Sequence, residues 1–323
     1  MIASVLHRAA GLIVAADRPL PGFLPLSGSV ATEDLRIHLE ARPAWHAAAA
    51  TPLHTADTTD AAGRPIVTVS RSAGGFHFTY ADGTRVWVDA DGATVWCTWP
   101  PSASLDDTCT YLYGPILGLV LRLRGALALH ASAVQFGEGA IGLVGLRGAG
   151  KSTLAAALAI SGCSVVTDDV LHVRCDDGRW LVEPFAAMLK LWPDGARLAL
   201  GGTADLAEIA AGWDKRALVP REGVTAASGP LPLLALGCLN RDADTASITA
   251  LSAAAALIRL AGNTSACHLL DREGRAREFQ ALSALVRRVP CAAIVPPDDP
   301  RQYRAFVGRV LDWGRSRVSA RTV

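Results

Sequence analysis

Eight consecutive residues, Gly145-Leu-Arg-Gly-Ala-Gly-Lys-Ser152, carry the residue types and spacing needed to hold phosphate. They fit G-x-x-x-x-G-K-[ST], and an apolar run before them (Ala140 to Val144) and a helix-forming run after them (Thr153 to Ile160) supply the strand–loop–helix context. Gly145, Gly148 and Gly150 free the backbone to turn successive amides inward. Arg147, Ala149 and Thr153 complete the expected nucleotide-binding set. Lys151 brings a compact charge to the outer phosphates, Ser152 offers a hydroxyl to magnesium, and the helix N-terminus adds partial positive charge.

A second cluster follows at once. Cys163 to Thr167 reads as a short buried strand ending in Asp168-Asp169. In a strand–loop–helix–strand unit both strands run parallel, so the two carboxylates emerge beside the bound phosphates. One can hold magnesium while the other accepts a proton from an attacking hydroxyl. Which does which is open. His130 lies on the strand Ala126 to Val134, which pairs with the phosphate-loop strand through a turn at 137–139. Of the 31 basic residues only Lys151, Lys190 and Lys215 are lysines, the residue type chosen where a compact ammonium is needed. Lys190 is expected at the active edge, and Lys215 with Arg216 forms a two-cation loop able to clamp phosphate or an acidic substrate.

The elements that must position these groups follow from periodicity. Residues 1–104 read as a small antiparallel sheet: 11–16, 34–39, 66–69, 76–80, 85–89 and 94–98 are strands, with turns at Asp82-Gly83 and Asp91-Gly92. Their alternating aromatics pack one face, and the histidines there show no ligand spacing. Trp99 to Ser104 is a linker, and Tyr111 to Arg124 is a helix crossing between domains. Residues 105–323 form the phosphate-binding domain. In it 171–174 and 180–183 make a hairpin, 204–212 a short helix, and 233–239 and 291–295 buried strands. Helices are expected over 252–260, 277–286 and 301–313, with Phe279, Leu282, Leu285 and Val286, and Tyr303, Phe306, Val307, Val310 and Leu311, as core faces.

With 323 residues, 50% of them hydrophobic, and a net charge of +1, the chain has ample core and no electrostatic bias toward nucleic acid or membrane. Arg8 and Asp17 interrupt the first apolar stretch, and Arg122 and Arg124 interrupt the longest one. Neither a signal peptide nor a membrane span is therefore expected, and the chain is placed in the cytoplasm. The seven cysteines are scattered, without a C-x-x-C pair, so neither a zinc site nor a disulfide framework follows, and most of them read as small buried hydrophobes.

Leu129-His130-Ala-Ser-Ala, the phosphate loop and Thr167-Asp168-Asp169 together resemble the catalytic domain of bacterial HPr kinase/phosphorylase, a family sharing its fold with phosphoenolpyruvate carboxykinases. The chain is still more similar to the HPr-kinase-like peptide serine kinases encoded beside lasso-peptide genes, through Pro19-Leu-Pro21, Leu191-Trp-Pro-Asp194, Lys215-Arg216 and a small N-terminal domain. The resemblance covers most of the chain and is most specific over 127–170. It implies an α/β P-loop catalytic domain behind a mostly-β N-terminal domain, and a possible homo-oligomer. It also implies ATP and Mg2+ as cofactors, Lys151 as phosphate clamp, Ser152 as magnesium ligand, Asp168 and Asp169 as base and metal partner, and His130 near the reacting phosphate. No stretch matches the second signature of true HPr kinases, so neither HPr as acceptor nor a reverse phosphorylase activity is implied.

The expected function is ATP- and magnesium-dependent transfer of the γ-phosphoryl group to a serine of a small ribosomal precursor peptide, near its C-terminus. Two alternatives use the same core residues: a kinase of a small-molecule hydroxyl, and a nucleotide sensor or assembly ATPase. A sensor needs no acceptor base beside its magnesium ligand, which the paired aspartates supply.

Overall fold

A computed structural model describes residues 4–28, 32–185, 188–203, 206–209, 214–241 and 245–319. The chain divides into two compact units, 1–125 with 266–274, and 126–265 with 275–323. The first unit therefore runs on past the expected boundary at 104.

In that first unit β1 (Val5–Ala9), β2 (Leu12–Ala16), β3 (Leu24–Pro25), β4 (Leu35–Leu39), β5 (Thr51–Thr55), β6 (Val67–Ser72), β7 (Gly75–Tyr80), β8 (Arg85–Asp89) and β9 (Thr94–Thr98) form one sheet, ordered β3-β1-β2-β4-β9-β8-β7-β6-β5. The β6 to β9 meander is antiparallel as expected, and Phe76, Phe78, Tyr80 and Trp87 are buried. The sheet is nevertheless larger than expected and mixed, because β4 pairs parallel with both β2 and β9. Pairing partners distant in sequence leave no local signature. Ser104 and Asp107 cap α1 (Leu105–Tyr111) reciprocally. The expected single helix over 111–124 is broken: five residues, Leu112–Ile116, widen into a π turn before α2 (Leu117–Leu123). Pro115, with no N–H to donate, is the cause.

The second unit is built on β10 (Leu127–Leu129), β11 (Ala131–Phe136), β12 (Gly139–Val144), β13 (Val165–Thr167), β14 (Leu171–Asp176) and β15 (Arg179–Glu183). A small separate sheet holds β16 (Leu189–Leu191), β17 (Ala207–Glu208) and β18 (Arg216–Leu218). β19 (Leu231–Leu239), β20 (Ser247–Ala250) and β21 (Cys291–Val295) return to the main sheet, ordered β10-β14-β15-β19-β12-β11-β13 with β21 beside β19 and β20 beyond it. The helices are α3 (Lys151–Ile160), α4 (Pro193–Leu200), α5 (Ala253–Ala261), α6 (Arg272–Val286) and α7 (Pro300–Ser319).

β12 sits mid-sheet, parallel to β19 and antiparallel to β11, and all six of its residues are buried. Its side chains alternate. Ile141 and Leu143 join a core with α3 and α7, while Ala140 and Val144 join a core with Ala256 and Leu260 of α5 and Leu282 and Leu285 of α6. A strand covered on both faces reads as a continuous apolar run, which is how 140–144 appears in the sequence.

Two expectations fail here. Phe279 is 57% exposed, so the buried face of α6 is narrower than the spacing suggests. Of the helix expected over 204–212, the described residues 206–209 contain the strand β17, paired to β18 through Ala207 and Glu208, while 204–205 and 210–212 lie outside the described residues. A short alanine-rich pattern has too few turns to separate helix from strand. Among the described residues no helix is long and apolar enough to cross a membrane.

Candidate active site

The phosphate loop leaves the C-terminal end of β12 and enters α3. Gly148 (φ +84°) and Gly150 (φ +95°) take the left-handed conformation that favours glycine. Gly145 serves differently from expectation: a Cβ there would stand 2.9 Å from the Leu239 carbonyl oxygen, so it is small because β19 passes close by. Lys151 folds over the loop, its Nζ donating to the carbonyls of Gly145 at 2.7 Å and Leu146 at 3.1 Å. Burial lowers its proton affinity and neighbouring Lys215 lowers it further, while Asp168 and Asp169 oppose the shift.

β11 lies between β12 and β13 and is antiparallel to both, so β12 and β13 are parallel and end on one edge. This delivers Asp168 to the loop. Asp168 is 4% exposed and both its oxygens are engaged. Oδ1 accepts from Ser152 Oγ at 2.8 Å and Ser132 Oγ at 2.6 Å, and Oδ2 accepts from the Lys190 backbone N–H at 2.8 Å. A carboxylate oxygen beside the loop's own hydroxyl is a hard-oxygen pair. It suits Mg2+, which takes one or two protein oxygens and completes its shell with phosphates and water.

Asp169 faces a different environment. Its φ of +66° is uncommon for a residue with a side chain, and a tight turn closes around it, with the Val170 N–H donating to the Asp168 carbonyl at 2.9 Å. The turn separates the two carboxylates. Lys190 Nζ pairs with Asp169 Oδ2, yet the Asp169 side chain remains 24% exposed. Burial disfavours its charge, but Lys190 and Lys215, helped by His130, outweigh that and hold the carboxyl well below the usual carboxylate range.

His130 sits at the break between β10, which pairs with β14, and β11, so it lies between two strands rather than within one. Its Nδ1 lies 3.0 Å from the Asp169 carbonyl oxygen. A carbonyl only accepts, so Nδ1 carries the proton and Nε2 of the neutral ring keeps a lone pair. Burial first, then Lys151, lower its pKa below 6.5.

All three lysines of the chain thus converge. Lys190 lies in β16 and is buried. Lys215 lies just before β18, with Nζ 5.3 Å from the centre of the Trp192 ring. Burial lowers its pKa, as do Lys190 and Arg147, against the opposing pull of Asp169 and Asp168. Arg216 is not its companion. It opens β18 and pairs with Glu208 of β17 at 2.8 Å, because successive strand residues point to opposite faces. Trp213 of the expected cationic loop lies outside the described residues.

Three further residues join the site for which no role was read. Ser132 is the lone hydroxyl of β11, two residues after His130, and it stood in the sequence only as part of the Leu129-His130-Ala-Ser-Ala stretch. Trp192 caps the helix opened by Pro193, and in that helix a Cβ on Gly195 would stand 2.5 Å from Thr153 Oγ1. Thr153 is thus packed against α4. Arg241 follows the end of β19 on the loop's edge, its guanidinium 3.5 Å from where a Cβ of Gly150 would be, and pairs with Asp298 at 2.8 Å. The arrangement can hold a polyphosphate against three lysines and Arg147, place a metal ion at Ser152 and Asp168, and receive a proton at Asp169.

No family model matches the chain, and no curated protein matches it. Among solved structures it is similar to the Hpr(Ser) kinase/phosphatase from Coxiella burnetii, at 14% identity over 57% of this chain and 95% of that one, with a TM-score of 0.29.

Proposed function

We propose that the chain is a kinase that uses ATP and Mg2+ to phosphorylate a serine hydroxyl of a peptide, a ribosomally made lasso-type precursor modified near its C-terminus. One observation carries the phosphoryl-transfer part: adjacent carboxylates in unlike surroundings. Asp168 accepts from the loop's hydroxyl, and Asp169 is paired with Lys190 and keeps its side chain partly open to solvent. A nucleotide sensor has use for the first alone. The peptide acceptor is supported by the resemblance of 127–170, 191–194 and 215–216 to the lasso-associated peptide kinases.

Bound Mg2+ would neutralise phosphate oxygens, and Ser152 and Asp168 are the residues that would hold it. Lys151 exchanges the carbonyls of Gly145 and Leu146 for phosphate oxygens. Lys190 and Lys215 turn from Asp169 toward the transferring group, which removes the cations that depress the Asp169 carboxyl and raises its proton affinity. Asp169 then takes the serine proton as the serine oxygen bonds to the γ-phosphorus and the bond to the bridging oxygen breaks, leaving ADP. His130, donating to the Asp169 carbonyl, fixes the turn.

The test is mass spectrometry of a serine-containing precursor peptide after incubation with the protein, ATP and Mg2+. A gain of one phosphate that disappears with Lys151→Ala is the expected result. ATP consumption without peptide modification would overturn the peptide as acceptor, and ATP binding without consumption would overturn the kinase.

A further inference from the structure

At the sheet edge away from the phosphate loop, β19 changes partner. Its first residues, Leu231 and Pro232, pair with β15, and from Leu236 onward it pairs with β21. Where the two partners diverge lies a pocket of about 450 Å³ lined by Arg179, Trp180, Leu233, Leu234, Arg288 and Arg317 among others. From Leu234 to Leu239, where the chain approaches the loop, a strand rising about 3.3 Å per residue spans roughly 17 Å, so this pocket is separate from the site above.

Its chemistry is one-sided. Arg179 opens β15, Arg288 follows α6, and Arg317 lies in the last turn of α7, so three elements contribute an arginine to the lining of one space, and among the described residues no carboxylate lines it. On the neighbouring strand Arg174 is paired with Asp176 and Glu183. Among the described residues no ion pair involves Arg179, Arg288 or Arg317. Arg288 is steadied by donating to the Gly178 carbonyl, at 3.4 Å. Trp180 is 8% exposed, and its indole N–H has no partner. Leu233, Leu234 and Val289 supply an apolar wall.

We propose that this pocket is a second anion-binding site, taking a small molecule with two or more phosphate or carboxylate groups. The volume is that of small-molecule sites and too small for a folded partner. Three guanidiniums outside any ion pair recognise planar oxyanions, Arg317 being held only by its Nε donating to Ser316 Oγ at 3.3 Å.

The experiment is calorimetric titration of inorganic pyrophosphate and of citrate into the full chain, into Lys151→Ala, and into Lys151→Ala that also carries the double variant Arg179→Gln/Arg288→Gln, so that the phosphate loop does not answer for the arginines. Saturable binding of either probe is expected in the first two proteins, and whichever probe binds tighter tells phosphate from carboxylate. Charge-assisted hydrogen bonds of this kind are each worth about tenfold in affinity or more, so the double variant should bind at least about 100-fold more weakly. Thermal unfolding checks that the double variant is folded, and if it is not, Arg317→Gln carries the same test. Loss of binding with Lys151→Ala would assign it to the phosphate loop instead. That result, binding that survives the arginine substitutions, or no saturable binding of either probe at millimolar concentration would each overturn the proposal.

Discussion

Lys190 and Lys215 decide what Asp169 can do. Lys190 is buried and Lys215 half-buried near its carboxylate, and their charge keeps it ionised despite its own partial burial. Replacing Lys190 with Met removes the nearest cation, so the Asp169 pKa should rise and the acid limb of the pH–rate profile should move to higher pH. Turnover should fall by about 10²–10³, the usual cost of losing one preorganised charge in a phosphoryl-transfer site. An unshifted acid limb would mean that Lys190 does not control Asp169. At this scale the motif residues were legible because phosphate binding demands fixed types at fixed spacing. The scarcity of lysine also pointed to Lys190 and Lys215. Ser132 and Trp192 stood inside stretches that carry the family resemblance, but their roles were not legible, since a lone serine and a tryptophan before proline suit many structural roles.

α3 holds the loop in place by packing, and the sequence pattern shows this where local rules suffice. Leu154 is fully buried between the helix and the sheet. Leu154→Ala should cost about 2–5 kcal/mol of stability, read from denaturant unfolding. The approach of α4 is tighter: a Cβ on Gly195 meets Thr153 Oγ1 at 2.5 Å. Gly195→Ala should cost about 1–3 kcal/mol by overpacking and should weaken nucleotide binding through the displaced first turn of α3. A variant as stable as the parent would show that the two helix ends can part freely. The strand 94–98, with strict alternation, was readable residue by residue. The strand at Ala207–Glu208 and the exposure of Phe279 were not, because each depends on what packs alongside.

For the whole molecule, acid should be destabilising in two stages. His130 has a folded pKa below 6.5, so it binds fewer protons folded than unfolded below that pH; its contribution is complete above 6.5 and is lost as pH falls. Asp169, likewise depressed below its ordinary value of 3.8, contributes fully above about pH 4 and loses that contribution on further acidification. Unfolding free energy measured against pH should fall from near pH 6.5 downward, and His130→Gln should reduce that upper slope, which one proton limits to about 1.4 kcal/mol per pH unit. His7, His77 and His268, also depressed by burial, keep the slope from vanishing. A flat profile above pH 5 would contradict this. At this scale least was legible. That β11 lies between the two parallel strands, and that β4 is parallel to both its neighbours, is topology, which no window of sequence encodes.

The claim that adjacent aspartates hold different offices is tested most directly by measuring Mg2+-dependent ATP affinity and phosphoryl transfer in Asp168→Asn and Asp169→Asn. Asp168→Asn should lose the magnesium dependence of ATP binding. Asp169→Asn should keep ATP affinity within a few-fold while transfer falls by about 10²–10⁴, the usual worth of a general base. Wild-type turnover in Asp169→Asn, or an equal loss of ATP affinity in both variants, would contradict the account.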